Sequence, residues 1–292
     1  MSGQHLPNTA AVIAQDLRGR NCIVTGSNAG IGEVTARELA RAGAKVFFAC
    51  RSEDKARAAM ERIAGETDNT SLEFLQLDLS SLATTRAAAQ RYLKLDVPLH
   101  LLVNNAGLAG TRGVTSDGFE IQFGVNHLGP FLFTRLLLPA LSRATPSRIV
   151  NVASRAHIRV GGIDYDRLQE KTRSITGFRG YCVSKLANVL FNLELAQHLA
   201  PGVSTYALHP GVVKSEIWRN VPWPIRPLMS IGMLTVEEGA QTSLYCASAP
   251  ELEGQSGKYY AKCKEVATSP KVTREAASEL WRRSEEWCRE YL

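Results

Sequence analysis

Tyr181 and Lys185 stand four residues apart in "YCVSK". On a helix that spacing puts both side chains on one face. A free tyrosine has a pKa near ~10, too high to serve as a base at neutral pH. A neighbouring ammonium favours the phenolate and lowers that pKa, so the pair can exchange a proton with a reacting oxygen. Ser154 closes the run "RIVNVAS". A hydroxyl at a strand end can hydrogen-bond a carbonyl oxygen and polarise it. Asn126 lies in "VNHLG", just ahead of Gly129-Pro130. Each residue also has a plainer reading: an ordinary helical pair, a strand-end serine, an asparagine that caps or kinks a helix.

A second stretch, "TGSNAGIG", has glycines at 26, 30 and 32. The spacing departs from G-x-G-x-x-G, yet it suits a phosphate cradle. Gly26 can make the turn, while Gly30 and Gly32 allow close backbone approach and helix packing. The helix that follows offers free N–H groups and a positive dipole end. The expected contacts are Gly26, Ser27, Asn28, Gly30, Ile31 and Gly32. Taken alone, the stretch also fits a structural turn. The next strand decides the cofactor. An NAD site wants a carboxylate about 20 residues on, to hold the ribose 2′-hydroxyl. That strand ends in "ACRS", with Arg51 where the acid would be. A guanidinium grips a 2′-phosphate with two parallel hydrogen bonds, so Arg51 points to NADP(H).

The elements that must position these residues are short apolar runs alternating with amphipathic stretches. Strands are expected at Cys22–Gly26, Lys45–Arg51, Leu72–Asp78, Leu99–Gly107, Arg148–Ser154, Val203–Gly211 and Gly257–Ala261. Helices are expected at Ile31–Ala42, Glu53–Ala64, Leu82–Leu93, Phe119–Leu141 and Tyr181–Leu199. Apolar strands with helices between them imply a parallel sheet covered on both faces, and right-handed crossovers make it a doubly wound α/β (Rossmann) fold of about seven strands. No linker or repeat divides the chain, so residues 1–292 read as a single domain. Within it, 214–235 is expected to be a substrate lid and 265–292 a C-terminal helical extension.

The chain has 292 residues, 45% of them hydrophobic, and a formal charge of +6. Its basic residues are scattered, which does not imply nucleic acid. The six cysteines show neither C-x-x-C nor zinc-site spacing, so no metal is expected, and a reducing, cytoplasmic location fits. The first residues do not read as a signal peptide, and no apolar run is long enough to span a membrane.

Taken together, "TGSNAGIG", "NNAG", Asn126, Ser154 and "YCVSK" resemble the short-chain dehydrogenase/reductase family, whose pattern is TGxxxGxG, NNAG, Asn, Ser and YxxxK in that order. The resemblance runs from about Leu17 to Tyr260. "RIVNVASRAH", "HPGVVKSEI" and the long gap between Ser154 and Tyr181 look like its retinol dehydrogenase branch, which often uses NADP(H). Two features depart from that branch: an apolar anchor is missing from the start, and Pro130 stands where several members carry His. The resemblance implies Tyr181 as acid/base, with Lys185 tuning it and holding the nicotinamide ribose. It also implies that Ser154 polarises the carbonyl and Asn126 orients a relay water. Asn105, Ala106 and Gly107 would wall the adenine–ribose side, and Asp78 and Leu79 would flank the adenine. Pro210, Gly211 and Val213 would meet the nicotinamide amide. His127, His157 and His209 are given no catalytic role.

"SEIWRNVPWPIRPLMSIGML" (Ser215–Leu234) is apolar and broken by prolines. Trp218, Trp223 and Leu228 there suggest a lipophilic aldehyde or ketone. The same residues also fit a membrane or homo-oligomer contact. The expected activity is interconversion of a hydrophobic carbonyl compound and its alcohol. Its rivals are an NADP(H)-binding sensor or scaffold without turnover, and reduction of a ring double bond.

Overall fold

Among the described residues, seven parallel strands and one short antiparallel strand make a single sheet. The computed structural model describes residues 13, 15–213 and 233–292. Its parallel strands are β1 (Asn21–Thr25), β2 (Lys45–Cys50), β3 (Leu72–Gln76), β4 (Leu101–Asn104), β5 (Ser147–Val152), β6 (Val203–His209) and β7 (Lys258–Ala261). The order across the sheet is β3-β2-β1-β4-β5-β6-β7-β8, with β8 (Lys264–Glu265) antiparallel to β7. β8 is the strand beyond the expected seven. Its turn uses Lys262 and Cys263, both at positive φ (52° and 57°). Hairpin turns of that kind normally carry Asn or Gly, so Lys262-Cys263 does not read as a turn.

The helices are α1 (Gly30–Arg41), α2 (Glu53–Thr67), α3 (Leu82–Leu93), α4 (Gly129–Ser142), α5 (Phe178–Leu195), α6 (Val236–Ser248) and α7 (Arg274–Cys288). They pack on both faces of the sheet and bury strands that are apolar on both sides, which is why Ile23, Val24, Leu102, Val103, Ile149 and Val150 are all wholly buried.

The sheet starts in its middle. The chain runs outward from β1 through β2 to β3, then crosses back to add β4 on the other side of β1. The loops after β1 and β4 therefore diverge, and a crevice opens at the carboxyl ends of the strands.

The long helix expected over Phe119–Leu141 is built from three pieces: a turn at Ile121–Phe123, a π-helical stretch at Gly124–Leu128, and α4. Gly129 N–H bonds the carbonyl of Gly124, five residues back. Pro130 explains the widening. It has no N–H to give the carbonyl of Asn126, four residues back, so the regular ladder breaks there.

The C-terminal helix α7 lies against α4 and α5. Trp281 stacks on His198 with centroids 4.1 Å apart, meets Phe131 edge-on at 5.2 Å, and carries the Arg135 guanidinium over its face. Ser284 Oγ pairs with His127 Nε2 at 3.0 Å. Burial holds His127 far below the usual histidine range, down to about 3. This histidine is a neutral packing residue.

Candidate active site

A cleft of ≈ 1220 Å³ runs along the carboxyl ends of the strands, from Arg51 at one end to Tyr181 and Lys185 at the other. Its floor is the glycine loop between β1 and α1. Gly26 and Gly30 take positive φ (65° and 60°), which a side chain would resist. A Cβ on Gly32 would run into Asn105 Nδ2 and the carbonyl oxygen of Gly26. Asn105 braces this loop: its Nδ2 donates to Thr25 O at 2.8 Å, and its N–H donates to Thr25 Oγ1 at 3.0 Å. The start of α1 has no side-chain cap, because Ala29 precedes it. Gly30, Ile31 and Gly32 at its start line the cleft, and uncapped N–H groups at a helix start suit an anion. Gly32→Ala is expected to lower unfolding stability by about 1–3 kcal/mol in urea denaturation, and an unchanged midpoint would mean the loop has room to spare.

Arg51 follows β2, lies exposed, and makes no ion pair among the described residues. Lys55 and Arg62 line the same end, Arg62 reaching Glu33 at 2.7 Å. These three cations make this end of the cleft basic.

At the opposite end, Tyr181 and Lys185 project from α5 under the tip of β5. Lys185 Nζ donates to Val152 O at 2.9 Å and lies 5.7 Å from the centre of the Tyr181 ring. Only 2% of Lys185 is exposed, and burial brings its pKa down to about 8. Ser154 sits just past β5 and caps the short helix Arg155–Arg159, its Oγ accepting from Ala156 N–H at 3.2 Å. The same hydroxyl hydrogen-bonds Tyr181.

The Tyr181 phenol departs from the expected direction. It is pushed up to about 12, because burial among Ala109, Ala156 and Cys182 outweighs the hydrogen bond from Ser154. Asn126 is locked: Oδ1 accepts from Leu108 N–H at 2.7 Å, while Nδ2 donates to Leu108 O and to Ser184 Oγ, both at 2.9 Å. Ser184, one residue before Lys185, was not singled out from the sequence; its Oγ donates to Tyr181 O at 2.8 Å.

Comparison with known proteins places this arrangement. The short chain dehydrogenase family profile matches residues 20–165. Human retinol dehydrogenase 12 is 46% identical over 273 residues, covering 91% of this chain and 85% of that protein. The chain belongs to the short-chain dehydrogenase family. Within it, this oxidoreductase falls in the retinol dehydrogenase-like branch. Human dehydrogenase/reductase SDR family member 13 is likewise 46% identical, over 92% of this chain and 73% of its own length. A protein of Mycobacterium paratuberculosis superposes with a TM-score of 0.77 at 32% identity, covering 96% of this chain and 97% of its own. The Pseudomonas aeruginosa RhlG/NADP active-site complex gives 0.68 at 26% identity, with 84% and 94% covered.

Most residues that the sequence singles out in this short-chain dehydrogenase line one cleft: Gly26, Asn28, Gly30, Ile31, Gly32, Arg51, Asp78, Leu79, Asn105, Ala106, Gly107, Ser154, Tyr181, Lys185, Pro210, Gly211 and Val213. Ser27 is not among the residues lining the cleft; its side chain is wholly buried, 3.4 Å from Cys50 Sγ. Asp78 accepts from Ser80 N–H and Oγ, which holds the turn after β3. Trp218, Trp223 and Leu228 lie outside the described residues. The apolar wall beside Tyr181 is made by Leu108, Ile121, Val125, Ile158 and Phe178, none of which had been singled out. Ile158 and Phe178 are 52% and 40% exposed, apolar side chains facing an open cleft. No helix among the described residues is long and apolar enough to cross a membrane.

Proposed function

We propose that this short-chain dehydrogenase is an NADP(H)-dependent enzyme that interconverts a lipophilic aldehyde or ketone, retinoid-like in shape, with its alcohol. The observation that carries the reading is the cleft itself, with an arginine that makes no ion pair among the described residues at one end and Ser154, Tyr181 and Lys185 gathered at the other. The apolar wall and the retinol dehydrogenase relatives support a greasy substrate.

When bound, the nicotinamide supplies or accepts the hydride. This chain's residues do the rest. Arg51 grips the 2′-phosphate, and Gly26 to Gly32 with the start of α1 hold the pyrophosphate. Asn105, Ala106 and Gly107 form a wall, with Asp78 and Leu79 beside the adenine and Pro210, Gly211 and Val213 beside the amide. Ser154 donates to the substrate oxygen and orients it against Tyr181. Tyr181 stays a neutral phenol at physiological pH, so it is set to hand its proton to that oxygen during reduction. Lys185 holds the ribose and refills Tyr181 with a proton. The Asn126 carbonyl lacks its regular helical donor because Pro130 has no N–H, and that makes it an acceptor for a water leading from Lys185 to solvent. Trp218, Trp223 and Leu228 would close the substrate side.

An NADPH-oxidation screen over retinal, long-chain aldehydes, steroids and small quinones tests the reading. Tight NADPH binding with no reduction across the panel would show a sensor instead. Arg51→Asp is expected to cut the preference for NADPH over NADH by roughly 10–100-fold, the value of a charge-assisted hydrogen bond. If kcat/KM for the two cofactors keeps its ratio, Arg51 does not read the phosphate.

A further inference from the structure

We infer that His157 is a positioning residue: its ring, strung between the Ser154 carbonyl and the Ser269 main chain, sets where the Ser154 hydroxyl stands. The inference rests on the function proposed above.

The geometry leaves no choice of roles. His157 Nδ1 lies 2.7 Å from Ser154 O, and His157 Nε2 lies 3.1 Å from Ser269 N. A carbonyl oxygen only accepts and an amide N–H only donates. Nδ1 therefore carries the proton and Nε2 the lone pair, so the ring is neutral and of fixed tautomer. Its main-chain N–H gives the Ser154 carbonyl a second hydrogen bond, at 3.2 Å. The ring is 1% exposed and stands edge-on to Tyr259, with centroids 5.0 Å apart.

Both ends of the bridge are anchored. Ser269 is buried, its Oγ accepts from Lys271 N–H at 3.2 Å, and its carbonyl accepts from Val272 N–H at 2.9 Å. At the other end, Ser154 is the extended residue between β5 and the helix Arg155–Arg159, and its hydroxyl meets both Ala156 N–H and Tyr181. With β5 fixing one side of Ser154, the orientation of its carbonyl sets how the chain turns into the helix Arg155–Arg159, and so where Ala156 N–H stands to hold the Ser154 hydroxyl. His157 holds that carbonyl without touching the substrate path. It thus ties the turn at Ser269, ahead of α7, to the reacting oxygen's hydrogen-bond donor.

The test is steady-state kinetics on the full chain with NADPH and a reducible aldehyde, for wild type, His157→Ala, His157→Asn and Tyr181→Phe. Misplacing a reacting group by about 1 Å costs on the order of 100-fold in rate, so His157→Ala should lose roughly 10–100-fold in kcat with an unchanged Kd for NADPH. Asn keeps an N–H at the Nδ1 position and should recover most of kcat, which a general packing defect would not allow. Histidine 15N NMR of the wild type reads the ring directly. A neutral Nδ1–H ring should be present whose signals vanish in His157→Asn. An Nε2–H ring assigned to His157 by its loss in His157→Asn, or unchanged kcat in His157→Ala alongside a dead Tyr181→Phe, overturns the inference and leaves the proposed function standing. A wild type that binds NADPH and reduces nothing overturns the proposed function, and this inference with it.

Discussion

Tyr181→Phe is expected to lower NADPH-driven aldehyde reduction by roughly 10²–10⁴-fold while leaving NADPH affinity unchanged, since a positioned acid contributes about that much. The change removes one oxygen from a ring that is 6% exposed, so packing within Ala109, Ala156 and Cys182 survives. What disappears is the proton that Ser154 and the substrate oxygen would share. Because burial pushes the phenol up to about 12, Tyr181 is in its donating form across the whole working range of pH. Loss of the Tyr181 proton should therefore cause no fall in reductive rate between pH 6 and about 9. Single-turnover NADPH oxidation, together with NADPH fluorescence for binding, checks both halves. A Phe variant that still turns over at the wild-type rate would remove Tyr181 from the chemistry.

Much of this architecture was readable from residue order. Strands such as Lys45–Cys50 and the helix Leu82–Leu93 were legible because apolar periodicity is a local property. The helix Val236–Ser248 lies outside the expected helices although its start carries a signal: Thr235 and Glu238 form a reciprocal capping box, with Thr235 N–H on Glu238 Oε2 at 2.8 Å and Glu238 N–H on Thr235 Oγ1 at 3.1 Å. At the site, the gathering of Ser154, Tyr181 and Lys185 was legible, because each ends or rides an element whose direction the pattern determines. The direction of the Tyr181 pKa was not. It depends on Ala109, Ala156 and Cys182, which belong to separate stretches and meet only in the folded chain. The same holds for His157, whose second partner is 112 residues away. Motif reading counts the charges near a group; only the fold says how much water remains to oppose them.

Lys185→Met separates stability from function. Lys185 buries an ammonium whose only side-chain hydrogen bond among the described residues goes to Val152 O. Burial lowers its pKa from 10.5 to about 8, a difference worth about 3 kcal/mol at about 1.4 kcal/mol per unit. The folded pKa lies below the unfolded one, so between about 8 and 10.5 the unfolded chain binds more protons. Stability therefore rises with pH through that window, and below about 8 the full penalty applies. Methionine has nearly the same length and no charge to desolvate. It leaves Val152 O without the lysine, a loss of about 1–3 kcal/mol. Asn188 Nδ2, 3.5 Å from the same oxygen, offsets part of it. At pH 7 the variant is expected to be about 1–2 kcal/mol more stable than wild type in urea unfolding. That advantage should shrink to nothing, or reverse, as pH approaches 10.5. Over the same comparison, reductive turnover is expected to fall by roughly 10²-fold or more, since Tyr181 loses the group that re-protonates it. A variant less stable at pH 7 would mean that the buried ammonium is solvated by more than Val152. A variant that keeps its turnover would mean that Tyr181 draws its proton from elsewhere. The two measurements bear on one atom, Lys185 Nζ: the first reads what its burial costs the fold, the second whether turnover depends on its charge.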